Sequence, residues 1–357
     1  MSENPSAGFA SRVQLDFAGD PSIVPHSLDL ISKRVLLLDI PDETRLGASF
    51  LDDRVVTAAM PACQVTLDDF LTRAVTLPPP TARLGFIFHI GHCGSTLISR
   101  LLASDPQCDS HREPQILRHF ADAALDAATP WAATDEAGLD RIALALTRCW
   151  ARPGGAARHV IVKATSLTNG VAPRLMTASP ASPALALRMR LEPYLAALLA
   201  PNPPSADLML GARNRLARLQ ARCGALEWRL HSMSAGELAA ASWLCEANSV
   251  AALAQAWPGR VLGVDFDHFL AAPQTGLLQI AAHFGLGWDE HMADQALNSD
   301  IMRRYSKAPE HDFDPGFRQR VLDDSRRRNA DEIGRGLRFA RQALADFPVL
   351  QAVAVWM

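Results

Sequence analysis

Six consecutive residues carry the most chemistry in this chain: Gly91-His92-Cys93-Gly94-Ser95-Thr96. They follow a short apolar run, Gly85-Phe86-Ile87-Phe88-His89-Ile90, and precede Leu97-Ile98-Ser99-Arg100-Leu101-Leu102, whose composition favours a helix. A phosphate or sulfate group needs several N–H donors aimed at one point. A glycine-containing turn from a strand into a helix N-terminus supplies them, together with the positive end of the helix dipole. Gly91 and Gly94 let the backbone curl close to the anion, and the hydroxyls of Ser95 and Thr96 can donate to its oxygens or cap the helix. The same residues would also serve as a plain Gly-Ser-Thr helix cap. They do not form the nucleotide-triphosphatase loop Gly-x-x-x-x-Gly-Lys-[Ser/Thr], because Ser95 stands where the lysine belongs, and this disfavours an ATPase or kinase.

Such a loop has to be held at the edge of a sheet. Three further apolar runs, Val160-Ile161-Val162-Lys163, Ala184-Leu185-Ala186-Leu187-Arg188 and Val261-Leu262-Gly263-Val264-Asp265-Phe266, read as strands buried on both faces. Residues 96–104, 115–127, 135–150, 207–222, 235–256 and 273–285 are rich in Ala and Leu with apolar positions at helical spacing. The alternation predicts an α/β chain, a three-layer P-loop fold with a mostly parallel central sheet. Lys163 ends one strand, with Thr165 and Ser166 just beyond it, and strand C-termini face the ligand crevice in open α/β sheets. Pro78-Pro79-Pro80 removes donors and fixes φ, which marks a boundary. Residues 1–80, with one apolar run at Val35-Leu36-Leu37-Leu38-Asp39-Ile40, are expected to be a small N-terminal extension. Residues 81–357 then form the main domain, with a helical insertion around 195–257 and one or two helices from about 315 to 346.

The chain has 357 residues, 48% hydrophobic and 20% charged, enough to bury a large core. Its formal charge of −3 excludes gripping bare nucleic acid as the main task, which needs a surplus of Lys and Arg. The six cysteines show no Cys-x-x-Cys pairing and no His cluster has zinc-ligand spacing, so neither a disulfide framework nor a metal site is expected. No basic start leads into an apolar stretch and no run of eighteen apolar residues occurs, so the expectation is a cytoplasmic protein without a membrane span.

The segment from His92 to Leu102 resembles the P-loop of the sulfotransferases, whose usual form is [Lys/Arg]-Ser-Gly-Thr-Thr followed by a helix. Asp105-Pro106 and Glu113-Pro114 lie where many bacterial members carry a proline after the first helix and a Glu-Pro pair. Val261 to Pro273, and the helix end His283-Phe284-Gly285-Leu286, are similar to the family's late strand and the helix behind it. The resemblance runs from about residue 83 to 290. It implies transfer of a sulfuryl group from 3′-phosphoadenosine 5′-phosphosulfate (PAPS) to a hydroxyl or amine of a small-molecule, glycan or peptide acceptor, with PAP as product.

The resemblance also implies roles. Residues Gly91 to Thr96 would hold the 5′-phosphosulfate. His92 takes the position of a Lys or Arg that stabilises charge on the leaving oxygen; a protonated imidazole there would be both donor and cation. Glu113 lies, counted from the P-loop, where the protein-tyrosine sulfotransferases carry their catalytic glutamate, and His111 is the competing base. The family's Arg and Ser contacts to the 3′-phosphate are missing: with Pro193 matched to its Arg-Asp-Pro proline, Leu191 and Leu199 take their places. Arg188 or Arg190 would substitute. Ser306 and Lys307 lie where members bring a basic loop over the nucleotide. The departures at His92 and at the Arg/Ser pair leave two alternatives open, an inactive anion- or nucleotide-binding P-loop protein and a phosphotransferase using another nucleotide.

Overall fold

The computed structural model describes residues 5–17, 20–78, 80–203, 205–224, 226–302, 304–305, 308–312 and 315–357. The N-terminal part holds α1 (Pro5–Asp16), β1 (Ile23–Asp29), β2 (Arg34–Asp39), α2 (Asp42–Gly47), β3 (Ala62–Thr66) and α3 (Leu67–Thr76). Its strands form an antiparallel sheet in the order β1-β2-β3. Val24, Leu38 and Ile40 cluster beneath it, which explains why the one apolar run of this region lies in β2 and its end. Thr66 starts α3 by accepting the Asp69 N–H at 3.2 Å.

The central sheet consists of β4 (Arg83–His89), β5 (Cys108–Arg112), β6 (His159–Lys163), β7 (Ala184–Arg188) and β8 (Val261–Asp265), in the order β5-β6-β4-β7-β8. Strands β4 and β5 both run parallel to β6. The amides of Phe86 and Ile90 donate to the carbonyls of Pro183 and Leu187, a step of four on each chain as in parallel pairing. The α/β fold expected from the sequence, with a parallel central sheet, is the fold observed. Strand β5 was not anticipated: its residues, Cys-Asp-Ser-His-Arg, are mostly polar, yet all five are buried.

Helices connect the strands: α4 (Ser95–Leu102), α5 (Gln115–Asp126), α6 (Glu136–Trp150), α7 (Ala172–Ala178), α8 (Leu191–Leu199), α9 (Ala206–Leu210), α10 (Ala212–Cys223) and α11 (Ala235–Ala256). After β8 come α12 (Phe266–Ala271), α13 (Pro273–Phe284), α14 (Glu290–Leu297), α15 (Pro315–Arg328) and α16 (Ala330–Asp346). Local signals set several ends. Ser234 and Glu237 form a capping box at the start of α11. Pro273 opens α13, and Gly285, left-handed at φ 77°, closes it. Among the described residues, no helix is long and apolar enough to cross a membrane.

The chain divides into two compact units, Met1–Ile87 with Ser99–Ala184, and Phe88–Ile98 with Leu185–Met357. In the first, Arg152 ties the N-terminal residues down by donating to the carbonyls of Phe17, Asp20 and Ile23. In the second, the buried Arg215 and Glu246 join α10 to α11 at 3.1 Å, and Trp243 donates its indole N–H to the Met189 carbonyl at 3.0 Å.

Candidate active site

In the second unit the loop between β4 and α4 is left-handed at three positions, with φ of 86° at Gly91, 53° at His92 and 72° at Gly94. Left-handed residues in such a run turn main-chain N–H groups into one concavity. The Gly94 carbonyl accepts the Ile98 N–H at 3.0 Å, so the amides of Ser95, Thr96 and Leu97 stand ahead of the first helical bond, at the positive end of the dipole. Ser95 and Thr96 are buried, and the Thr96 hydroxyl has no hydrogen-bond partner among the described residues. A buried, unpartnered hydroxyl is costly unless something binds it.

Not every residue of the loop points the same way. The Gly91 N–H donates to His89 Nδ1 at 2.9 Å, which places the proton of the His89 ring on Nε2. The Cys93 thiol is buried and directed at the Leu187 carbonyl, 3.7 Å away. Gly91 and Cys93 therefore brace the turn. His92, Gly94, Ser95 and Thr96 line a cavity of about 620 Å³, a size suited to a nucleotide. Gly94 is required there twice over: its φ favours glycine, and a Cβ would overlap the ring of Phe266. Across the cavity, α15 contributes Arg318, Arg320 and Arg328.

The two arginines of the β7 end lie elsewhere. The Arg188 guanidinium sits over the Trp356 ring at 4.3 Å, 3.8 Å from Asp265, and lines a separate cavity of about 160 Å³. Arg190 donates to the Met357 carbonyl at 3.0 Å and lines a third cavity of about 580 Å³. Neither lines the cavity of the loop. Ser306 and Lys307 lie outside the described residues.

The first unit holds the acid–base candidates. Glu113 directly follows β5, is buried, and has an unusual left-handed φ of 51°. Its N–H donates to the Lys163 carbonyl at 2.7 Å, while Lys163 Nζ donates to its Oε1 and Arg118 lies 3.5 Å from its Oε2. Lys163, fully buried at the end of β6, is thus the partner of Glu113. His111 is buried within β5, and neither of its ring nitrogens has a hydrogen-bond partner among the described residues. Burial pushes its pKa down to about 4 despite the nearby Asp109 carboxylate, so at neutral pH it is a neutral, weakly basic imidazole.

One neighbour of this pair was not legible in the sequence. The Phe50 ring lies 5.7 Å from Lys163 Nζ, and the segment around it is stitched to the end of β5. The Leu51 N–H donates to the Arg112 carbonyl at 2.6 Å, the Gln115 N–H to the Leu51 carbonyl at 3.0 Å, and the Arg112 side chain to the Ala48 carbonyl at 2.8 Å. Residues 48–52 belong to the stretch expected to be an extension of unknown role. No motif marks them.

Comparison with known proteins bears on this arrangement. The model of the sulfotransferase family matches residues 86–290, more than half of the chain. Among curated proteins no sequence matches. Among solved structures, the chain is similar to the sulfotransferase domain from the curacin biosynthetic pathway at 13% identity and TM-score 0.38, covering 68% of this chain and 89% of that one. It is also similar to a sulfotransferase from Alicyclobacillus acidocaldarius at 14% identity and TM-score 0.35, covering 73% and 96%. A third, from Mycobacterium avium, has 13% identity and TM-score 0.37, with 70% and 77% covered. The family match begins inside β4, takes in the loop, Glu113 and Lys163, and ends at the first residue of α14; the chain belongs to the sulfotransferase family and is a transferase.

Proposed function

We propose that the protein transfers a sulfuryl group from PAPS to a hydroxyl or amine of a small-molecule, glycan or peptide acceptor. The observation that carries this reading is the left-handed loop beside a nucleotide-sized cavity, with a buried Thr96 hydroxyl that has no partner among the described residues. These residues fit an anionic donor: amides at a helix N-terminus, a hydroxyl in need of a partner, and a glycine that keeps the backbone bare.

PAPS, when bound, supplies the activated sulfuryl group. The amides of Ser95, Thr96 and Leu97 hold its 5′ end and the Thr96 hydroxyl donates to it. His92, on the cavity wall, donates toward charge that builds on the leaving oxygen. Glu113 accepts the acceptor's proton. Lys163 fixes one carboxylate oxygen, and the remaining lone pairs stay available for that proton. Such transfer relies on positioning and on electrostatic stabilisation more than on covalent participation by the protein.

The test is a set of melting curves with PAP, PAPS, ATP and GTP added separately, since a ligand that binds only the native state raises its stability. Stabilisation by PAP and PAPS but not by ATP or GTP supports the proposal. Stabilisation by ATP or GTP instead points to phosphoryl transfer, and no shift with any nucleotide removes the donor assignment.

A further inference from the structure

We infer that Phe50 keeps water away from Glu113 and Lys163, and so makes the protein prefer its acceptor over water; this rests on the donor and base roles proposed above. Residues 48–54 precede those that the family model matches, and every residue of the argument lies in the first unit. Main-chain hydrogen bonds from this segment bracket Glu113. The Leu51 N–H donates to the carbonyl of Arg112, one residue before it, at 2.6 Å, and the Leu51 carbonyl accepts the N–H of Gln115, two residues after it, at 3.0 Å. Two arginines hold the approach to Phe50. Arg100 donates to the Ser49 hydroxyl at 2.8 Å and the Gly47 carbonyl at 3.3 Å, while Arg112 donates to the carbonyls of Arg45, Leu46 and Ala48.

The ring itself meets two cations. Its centroid lies 5.7 Å from Lys163 Nζ and 3.8 Å from the guanidinium carbon of Arg54. Arg54 is exposed and is gripped by the buried Asp52, Nε donating at 2.8 Å and Nη2 at 2.6 Å. Lys163 and Glu113 are buried, and Phe50 is half-buried. An apolar ring thus stands at the boundary between a buried ion pair and an exposed guanidinium, where it covers the pair from the side of residues 48–54. The cover matters because a base that takes a proton from an acceptor hydroxyl can take one from water as well. In that side reaction the water oxygen bonds to sulfur, the bond from sulfur to the donor's phosphate oxygen breaks, and Glu113 takes the water's proton. Sulfate and PAP leave, and the donor is lost without a sulfated product. Excluding water suppresses such a reaction.

Two readouts on the full chain test the inference. One is PAP released from PAPS with no acceptor added. The other is reductive methylation of lysines followed by mass spectrometry; the chain has three lysines, and the exposed Lys33 serves as the internal standard. In the wild type, release should be slow and Lys163 should be methylated far more slowly than Lys33. Phe50→Ala should raise PAP release roughly tenfold, part of the hundredfold or more that a placed base contributes, and bring Lys163 within reach of the reagent. Adding Glu113→Gln to Phe50→Ala should abolish the rise in PAP release, which a general loosening of the site would not do. Phe50→Leu, which keeps an apolar cover, should recover most of the protection. Arg54→Gln, at an exposed position where loss of fold is not expected, should raise both readouts by a smaller factor. Melting midpoints identify any variant that has lost its fold. A wild-type protein that binds PAP, with either readout unchanged in both Phe50→Ala and Arg54→Gln, overturns the role of Phe50 alone, as does a rise in PAP release that persists in the double variant. A wild-type protein that binds neither PAPS nor PAP removes the donor reading and this inference with it.

Discussion

Replacing Thr96 with valine separates what the loop costs the folded protein from what it gives to binding. The Thr96 side chain is 2% exposed and its hydroxyl lacks a hydrogen-bond partner among the described residues. Burying such a group costs about 1–3 kcal/mol, as series of mutants show. Valine keeps the β-branched shape and removes that cost, so the ligand-free variant should be more stable than wild type by about 1 kcal/mol. For a chain of this size that is a rise in Tm of roughly 2 °C. The bound state should respond in the opposite direction. A hydrogen bond to a charged group contributes about 1.5–3 kcal/mol, so the Kd for PAP should rise roughly tenfold to a hundredfold. Scanning calorimetry without nucleotide and titration with PAP measure the two halves on one variant. A Tm that falls, together with unchanged PAP affinity, would refute the reasoning, since the hydroxyl would then be a structural cap with no part in binding.

Three further outcomes are expected. Gly94→Val should destabilise the protein even without nucleotide, because a left-handed φ costs a branched residue about 1–3 kcal/mol and the new Cβ overlaps the buried Phe266 ring; an unchanged urea midpoint would contradict the shape of the loop. Glu113→Gln should cut turnover sharply with PAP affinity nearly kept, and should lower stability by about 3 kcal/mol because Lys163 loses its charged partner in a buried site. Full turnover in that variant would exclude Glu113 as the base. The His111 pKa, pushed by burial from 6.5 down to about 4, means that the unfolded chain binds the extra proton first as pH falls. Stability from this group is complete above about pH 6.5 and declines toward pH 4, by about 3 kcal/mol in all. His111→Gln should flatten that decline in denaturation curves taken at pH 7, 5.5 and 4.5, and an unaltered slope would show that His111 is not its source.

The parts of the fold that could be read in advance share a physical origin. Strands β4, β6 and β7 are buried parallel strands, whose residues read as continuous apolar runs, and α11 spans the residues its composition suggested. The turn was legible because glycines and hydroxyls stand between an apolar run and a helix-forming stretch, and the resemblance to the sulfotransferase P-loop separated it from a plain helix cap. Strand β5 was not, since two of its polar residues, Asp109 and Arg112, find their partners far away in sequence. Asp109 pairs with the buried Arg45, and Arg112 donates to the carbonyls of residues 45, 46 and 48. No periodicity reveals such a pairing. The stretch expected as one helix over 207–222 breaks at Gly211 into α9 and α10.

The site follows the same rule. Glu113 is a candidate only through the resemblance to the protein-tyrosine sulfotransferases, whereas its grip on Lys163 depends on the pairing of β5 with β6. Phe50 approaches Lys163 from a segment tied to the end of β5 by main-chain hydrogen bonds, such as the one between residues 51 and 112. The basic residues of α15 read as an ordinary solvated surface helix, and tertiary structure alone turns them toward the loop. His89 carried no signal at all, although its ring receives the Gly91 N–H and helps to set the turn.

Hydrogen exchange of the main-chain amides, followed by mass spectrometry on the full chain with and without PAP, bears most directly on the anion cradle. Peptides covering residues 92–97 should exchange markedly more slowly with PAP and keep their ligand-free rate with adenosine. Unchanged exchange across those residues at a PAP concentration that saturates the protein would contradict the cradle.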